Sequence, residues 1–478
     1  MKRTLAVPAI AIAWMMACQG DPAGDPFGTE ATPLDAADSA VITHGPIVGA
    51  VTTNSAKVFG RTSAPATVHL EYWPADEPAL VERSADVVTS AESDFTFHAP
   101  LEGLAPDTRY AYRYMVGGSA VPTPIGDDVA SFRSAKPRGH GEPFSIAIVA
   151  DAEGHHEADA YREIANLADE PAFLVMLGDF DHRNPATTQP FGIESWRDMH
   201  RDVLQDEAHG RDLAAHVSGR MPLFRMWDDH DFGDNNAHRE MARGWADIAF
   251  QSFQEYFPLP EVPGYPNGLY YRFGYGDVDF FMLDLRSQRD DHRAPFCDPN
   301  KSMLGAQQFD WLIEGLASSD ATWKVVLSSV PFNPTVLKND AWLSYRTEWE
   351  RLVASINAVT SDVIVVSGDI HTGGAIDDGT HSAFPELNVP HLNLGHVRHP
   401  PGCTALGEEG VDACGNWSEG VHLSEGREQG FARIRFDGDR ATLSSFSRDA
   451  SGDHRLSLQL ETGSRRSRLI NKTQTCAP

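Results

Sequence analysis

The chain has 478 residues, 41% of them hydrophobic and 22% charged, which excludes a disordered or collagen-like polypeptide and favours two or three folded domains. With 39 Lys and Arg against 68 Asp and Glu, the formal net charge is −29. Such a field repels nucleic-acid backbones and attracts cations, so no nucleic acid is expected as a scaffold or partner.

Residues 1–17 read as a secretory signal: Lys2 and Arg3 make a basic start, and Leu5 to Ala17 is an apolar stretch too short to span a bilayer permanently. The string Met15-Met16-Ala17-Cys18 resembles a bacterial lipobox, which makes Cys18 a candidate lipidation site. Acylation there would hold an exported, periplasmic or cell-surface protein on the membrane, and Gln19 in place of Asp points to the outer one. The alternative is an ordinary signal with a chance cysteine. Residues 18–43, dominated by Pro, Gly, Ala and Asp, read as a tether.

Between residues 44 and 137 the short runs AKVFGRT, ATVHLEYW, DFTFHA and TRYAYRYMV alternate with period two and are separated by Pro and Gly turns, which predicts an all-β sandwich. LEGLAPDTRYAYRY resembles the tyrosine corner of fibronectin type III or Ig-like domains, with Tyr110 as the corner residue. From 143 to 478 the texture changes. FSIAIVAD, AFLVMLGD, PLFRMWDD, VDFFMLD, TWKVVLSSV and SDVIVVSGD are near-continuous apolar runs that suit strands buried on both faces. Helical stretches such as EADAYREIANLAD, LGAQQFDWLIEGLASS and RTEWERLVASIN alternate with them, which predicts an α/β layer fold. FARIRFDGDRATLSSFS followed by RLSLQLET predicts a closing β-hairpin with DGD at its turn.

Besides Cys18 there are four cysteines, an even number suited to an oxidising compartment. Of the three connectivities, locality favours Cys403 with Cys414, leaving Cys297 with Cys476.

Five apolar runs end in carboxylates: Asp151, Asp179, Asp228 with Asp229, Asp284 and Asp369. Loops beyond the carboxyl ends of strands build ligand sites in open α/β sheets, so these acids are placed to converge. Clustered acids repel one another unless cations neutralise them, which points to metal ions. GDFDH adds His182, WDDHDFGDNN adds His230 and Asp231, and SGDIHTGG adds His371. Oxygen ligands with a few imidazoles suit Ca, Fe, Mn or Zn ions, and two such ions would serve phosphoester hydrolysis. His230 is placed to stabilise charge on phosphorus or protonate the leaving oxygen. Glu153 is a further candidate ligand, with a solvated loop acid as the alternative. Arg286 and Arg289 could grip a phosphate or form salt bridges, and His391, His396 and His399 could line a pocket or be ordinary loop residues.

The order Asp, GD, DDH and GDxH resembles the metallophosphatases, specifically the PhoD-like alkaline phosphatase/phosphodiesterase branch, and FFMLDLRSQR and MLGAQQFDWLIEGLASSDATWKVVLSSVPF are similar to it as well. The resemblance covers about residues 44–450. It implies a four-layer α/β/β/α sandwich with a dinuclear centre. Asp151 and His371 would bind the first metal, Asp179 would bridge, and Asp229 and Asp369 would bind the second. His182 stands where that branch often has a tyrosine ligand, and His230 matches the histidine that contacts phosphate. Two departures stand out. Asp151 and His182 replace the cysteine and tyrosine that hold ferric iron in the best-described branch, which favours a different or more labile metal. The superfamily's middle histidine is absent from SSVPFN, where Asn333 or a water would substitute.

The expected function is therefore a secreted metal-dependent hydrolase of small-molecule or lipid phosphomonoesters or phosphodiesters, with a metal-bound hydroxide attacking phosphorus in line. No G-x-S-x-G elbow argues for a serine hydrolase. The alternatives are a non-catalytic metal-binding surface lipoprotein and a phospholipid-specific phosphodiesterase. Histidines at the motifs disfavour the first, because a pure Ca²⁺ site prefers oxygen ligands throughout.

Overall fold

Period-two alternation resolves into two antiparallel sheets in the N-terminal part of the chain. In a computed structural model that describes residues 40–394 apart from 125 and 207, together with 414–423, 429–449 and 452–463, strands β1 (Ile42–Gly49), β2 (Ser55–Thr62) and β6 (Thr96–Glu102) make the first. The signal and tether with Cys18, the residues Cys403 and Cys476, and His396 and His399 lie outside the described residues. The second sheet is built on β3 (Thr67–Pro74) and β7 (Arg109–Val116), edged by β4 (Glu82–Arg83), β5 (Val87–Val88), β8 (Ser119–Val121) and β9 (Ala130–Arg133). In β7, Tyr110, Tyr112 and Tyr114 are buried while Arg109, Ala111 and Arg113 face outward, as the pleat requires. The Tyr110 hydroxyl accepts the Ala105 backbone N–H at 2.9 Å, the tyrosine-corner contact expected from the sequence.

The apolar runs that follow form two six-stranded sheets. The first has the order β12 (Leu223–Arg225), β11 (Leu174–Met176), β10 (Phe144–Val149), β19 (Gln429–Asp437), β20 (Arg440–Asp449), β21 (Gly452–Glu461). The second has the order β13 (Tyr271–Tyr275), β14 (Val278–Met282), β15 (Trp323–Ser328), β16 (Val363–Ser367), β18 (Pro385–Asn388), β17 (Ala375–Asp378). The expected hairpin is present as β19 and β20, paired antiparallel to Asp437↔Arg440, and it belongs to the first sheet because β19 pairs with β10.

The sheets meet face to face through aromatic rings. Phe224 stacks on Phe273 with centroids 3.8 Å apart, and Phe173 meets Phe280 edge-on at 5.4 Å. Phe281, next to Phe280 in β14, must then point outward, and there Gly315 of α6 (Gly305–Ser318) lies so close that an added Cβ would sit 2.7 Å from its ring. This close approach seats α6, with α7 (Arg346–Val359) beside it, on the outer face of the second sheet. On the first sheet α1 (Asp159–Ala165) packs along β19, and Tyr161 stacks on His209 of α3 (Ala208–His216) at 5.4 Å. The result is a helix–sheet–sheet–helix arrangement.

Helices α2 (Ile193–Arg201) and α5 (Ala246–Tyr256) face the N-terminal sheets, where Arg201 and Tyr256 both donate to Asp94. Strands β10, β11 and β12 are mutually parallel, as are β14, β15, β16 and β18. Their carboxyl ends therefore deliver successive loops to one end of each sheet. Cys297 and Cys414 are half-cystines, and the partners expected for them lie outside the described residues. Among the described residues no helix is long and apolar enough to cross a membrane.

Candidate metal centre

Four loops deliver the chemistry. Asp151 follows β10, Asp179 follows β11, Asp229 and His230 open the single-turn helix α4 (Asp229–Phe232) after β12, and Asp369 and His371 follow β16. Asp151, Asp179, Asp369 and His371 have backbone φ of 52°, 48°, 64° and 60°. A side chain other than glycine is disfavoured in this left-handed region, by about 1–3 kcal/mol in the strained cases, so the fold accepts a local cost at each residue it must aim inward.

The side chains converge. Ligand atoms of Asp151, Asp179 and Asp369 lie within 4.8 Å of one another, as do those of Asp151, His182 and His371, and those of Asp179, His182 and His230. His371 Nε2 is 3.7 Å from Asp151 Oδ1 and 3.5 Å from Asp369 Oδ1, and His182 Nε2 is 3.5 Å from Asp179 Oδ2. His182 Nδ1 donates to the Ala152 carbonyl at 2.8 Å, which fixes the tautomer and leaves the Nε2 lone pair facing the cluster. His182 Nε2, His371 Nε2 and Asp369 Oδ2 are buried with no hydrogen-bond partner. Buried polar atoms are ordinarily paired, so the two imidazole nitrogens left unpaired beside Asp151, Asp179 and Asp369 mark a place for cations, while Asp369 Oδ2 lies 3.5 Å from Arg286.

Electrostatics agree. Burial pushes Asp151 up to about 7, and burial together with the neighbouring Asp229 and Asp228 holds Asp179 well above the usual carboxylate range. Burial also raises Asp369, even with Lys338 beside it. His182 is pushed down to about 3 by burial and by His230, and burial with Lys338 nearby lowers His371 as well. Neutral imidazoles and carboxylates whose charge is only partly met by the chain's own cations are the forms that bind divalent cations. Asp229 differs: burial is outweighed by Arg286, His230 and Lys338, which lower it. Its Oδ1 accepts the His230 N–H at 3.0 Å and its Oδ2 the Asn236 N–H, while each carboxylate oxygen keeps a second lone pair.

Several expectations are corrected. Arg286, expected to grip phosphate, is instead fully buried among acids: it forks onto Asp228, with Asp340 at 3.2 Å, Asp369 at 3.5 Å and Asp229 at 3.6 Å, so its charge is spent on the carboxylates of and behind the centre. Arg289 grips neither phosphate nor acid, donating instead to the Ala237, Asn236 and Asp340 carbonyls. Asn333 is no ligand: its Nδ2 donates to the Asn416 carbonyl at 2.8 Å, and its Oδ1 accepts from Thr335 in a tight turn. Glu153 groups with His155 and His156, its carboxylate 3.3 Å from His155 Nε2, rather than with Asp151. Asp284 stays out of the cluster, accepting from Trp227, Leu269, Arg286 and Ser287 to tie its own turn.

Other residues serve the centre indirectly. Asp231 accepts the backbone N–H of Asp179 at 2.7 Å and of Phe180 at 3.3 Å, which braces the Asp179 loop. Of the three histidines in PHLNLGHVRHP, His391 is buried and bridges to Ala150, beside Asp151. Lys338 escaped sequence reading: its ammonium donates to the Asp369 carbonyl at 2.6 Å and also pairs with the Asp369 carboxylate. Only the run KND marks it, with no apolar period to point at a site.

A four-layer α/β/β/α sheet pair whose strand ends converge buried aspartates and neutral histidines defines a metallophosphatase-type protein. The PhoD-like phosphatase family model matches residues 151–443 and the model of its N-terminal domain matches residues 29–135. The chain belongs to the PhoD-like phosphatase family. It is 26% identical over 324 residues to alkaline phosphatase D of Bacillus subtilis (strain 168), covering 58% of this chain and 53% of that protein. It is 25% identical over 320 residues to purple acid phosphatase 23 of Arabidopsis thaliana, covering 64% and 61%. The matches thus span a little over half the length of these relatives. A solved structure of PhoD superposes with TM-score 0.68 at 20% identity over 88% of this chain and 92% of that one. Purple acid phosphatase PPD1 from yellow lupin (Lupinus luteus) seeds superposes with TM-score 0.60 at 14% identity over 87% and 74%, which supports the fold.

Proposed function

We propose that this protein is a metal-dependent hydrolase of small-molecule phosphoric esters. The observation that carries the reading is the burial of Asp151, Asp179 and Asp369 beside His182 and His371, with three ligand atoms left without hydrogen-bond partners. Asp151, His182 and His371 would hold one ion and Asp229 and Asp369 a second, with Asp179 shared between them. When bound, such ions supply the positive charge that acidifies water and neutralises phosphoryl oxygens during in-line displacement. Asp151 and His182 provide no thiolate or phenolate, so labile Mn²⁺, Zn²⁺ or Ca²⁺ suits this set better than tightly held Fe³⁺.

The chain's own groups do the rest. His230 Nδ1 donates to the Arg183 carbonyl at 3.3 Å, so a proton handed to the leaving oxygen would come from Nε2 of the doubly protonated ring, which returns to its neutral Nδ1–H form. Asp231 holds the Asp179 loop, and Arg286 forks onto Asp228 and holds it in place, partly offsetting the burial that raises its pKa.

The protein is exported and anchored through acylated Cys18, with a fibronectin-like sandwich from 44 to 137 ahead of the hydrolase part from 143, and with Cys403–Cys414 and Cys297–Cys476 disulfides. These parts of the proposal rest on sequence. Detergent partitioning of wild type, and its loss in Cys18→Ser, supports the anchor; a wild type that stays in the aqueous phase contradicts it. A panel of alkyl monoesters, diesters and phospholipids tests the substrate class. Turnover of phospholipid alone would move the assignment to a lipid diesterase, and no turnover of any ester with metals bound would leave a metal-binding surface protein.

A further inference from the structure

Away from the centre, a second set of ligand-bearing side chains meets at the edge of the first sheet. Asp449 is the last residue of β20, His454 lies near the start of β21, and His422 sits in the segment that returns to the sheet edge after Cys414. The Asp449 carboxylate is inaccessible to solvent, with its Oδ1 3.0 Å from His454 Nε2 and its Oδ2 3.4 Å from His422 Nε2. The two imidazoles stack with centroids 3.7 Å apart, and one ligand atom from each of the three residues lies within 4.8 Å of the others.

We infer that His422, Asp449 and His454 form an accessory site for a divalent cation of the Zn²⁺ type. Two histidines and a carboxylate are a common three-ligand set for zinc, with a water in the fourth position. Tetrahedral bonds of about 2.0–2.1 Å place neighbouring ligand atoms roughly 3.3 Å apart, and Asp449 already holds both imidazoles near that spacing, one on each carboxylate oxygen, at 3.0 Å to His454, a hydrogen bond, and 3.4 Å to His422. A cleft of about 300 Å³, lined by His422 and His454 together with Asp453 and Arg455, opens beside the cluster and gives a hydrated ion a way in. A chain of excess negative charge, −29 overall, draws cations to such a cleft.

The site's position gives it a task distinct from hydrolysis. His422 exchanges two backbone hydrogen bonds with the loop after His371: its N–H donates to Gly374 and its carbonyl accepts from Gly373, each at 2.9 Å. Gly374 has φ +97°, and an added Cβ there would sit 2.1 Å from Ser445 Oγ, so this loop can lie flat on β20 only with glycine. An ion joining His422 to Asp449 and His454 would clamp the β20–β21 edge to the loop that carries His371. That makes it a structural staple whose binding energy is folding energy.

The test uses Zn²⁺ on the full exported chain. Crystals of wild type exposed to Zn²⁺ and measured at the zinc edge are expected to show an anomalous peak within coordination distance of His422 Nε2, His454 Nε2 and Asp449. In solution, the His422→Ala/His454→Ala double variant is expected to hold one Zn²⁺ per chain fewer than wild type, and the same difference should persist in an Asp179→Asn background. That last comparison separates this site from the proposed hydrolytic centre. No peak at this place in wild-type crystals, or a peak touching only one of the three side chains as an adventitious ion would, overturns the inference whatever the variants do.

Discussion

Two buried acidic regions of this molecule solve the same electrostatic problem in opposite ways. Asp94, beneath the N-terminal sheets, receives Arg61 at 2.8 Å and is also bonded by Arg201 and Tyr256, so groups from β2, α2 and α5 neutralise one carboxylate. Burial alone would raise its pKa, yet these donors bring it down to about 2. At the strand ends, Asp151, Asp179, Asp228, Asp229, Asp340 and Asp369 face the cations Arg286, Arg289 and Lys338. There Asp151, Asp179 and Asp369 rise instead of falling. A buried carboxylate paired by its own chain is a joint, and one left short of cations is a socket.

The difference can be broken from the socket side first. Asp179→Asn removes a charge that both proposed ions would share, and activity should fall beyond the roughly 10⁴-fold that bounds the loss of a general acid, with metal content falling in step. His230→Ala comes next. It should keep most of its metal while turnover of alkyl phosphoesters drops about 10²–10⁴-fold, and nitrophenyl esters, which need little protonation, should suffer less. Metal analysis beside a two-substrate assay distinguishes these outcomes. An emptied centre in His230→Ala would instead make His230 a ligand, as its place beside Asp179 and His182 would permit.

Breaking the joint should behave differently. Asp94→Ala removes the acid that Arg61, Arg201 and Tyr256 share; Arg201 keeps Glu194 and Asp198, so the loss should stay below the roughly 3–5 kcal/mol of a fully buried pair broken on one side. Denaturant unfolding should report that loss while metal content per folded chain stays at the wild-type value. The smallest expected effect is its acid counterpart. Because the folded pKa of Asp94 is depressed from 3.8 to about 2, its contribution is complete above the ordinary carboxylate value and is lost as pH falls through about 2. Unfolding measured between pH 5 and 2 should show wild type losing this increment, and Asp94→Asn should lack that part of the slope.

The sheets and the residues of the centre were legible because their signals are local. Each ligand follows a short apolar run, and the αL-tolerant aspartates at the strand ends carry their geometry in the residue type. What escaped depends on the fold. FFMLDLRSQR shows two arginines but cannot show that Arg286 lies behind the acids, forked on Asp228 from a different loop. SSVPFN offers Asn333 by position, while the side chain closes its own turn with Thr335. Lys338 and the His422–Asp449–His454 cluster bring together residues far apart in sequence, for which no spacing rule exists. Short strands such as β17 and β18 were missed because four residues beside a Gly-rich loop carry too little periodicity.

The central claim is that the acids at the strand ends require cations the chain does not supply, and that hydrolysis depends on them. Its most direct test strips the protein with chelator in the His422→Ala/His454→Ala background, then restores Mn²⁺, Zn²⁺ or Ca²⁺ while bound ions and phosphoester hydrolysis are measured on the same samples. The expected result is no hydrolysis in stripped protein and recovery that reaches its plateau at two bound ions per chain. Full hydrolysis by stripped protein, or two ions bound with no hydrolysis of any ester, would contradict it.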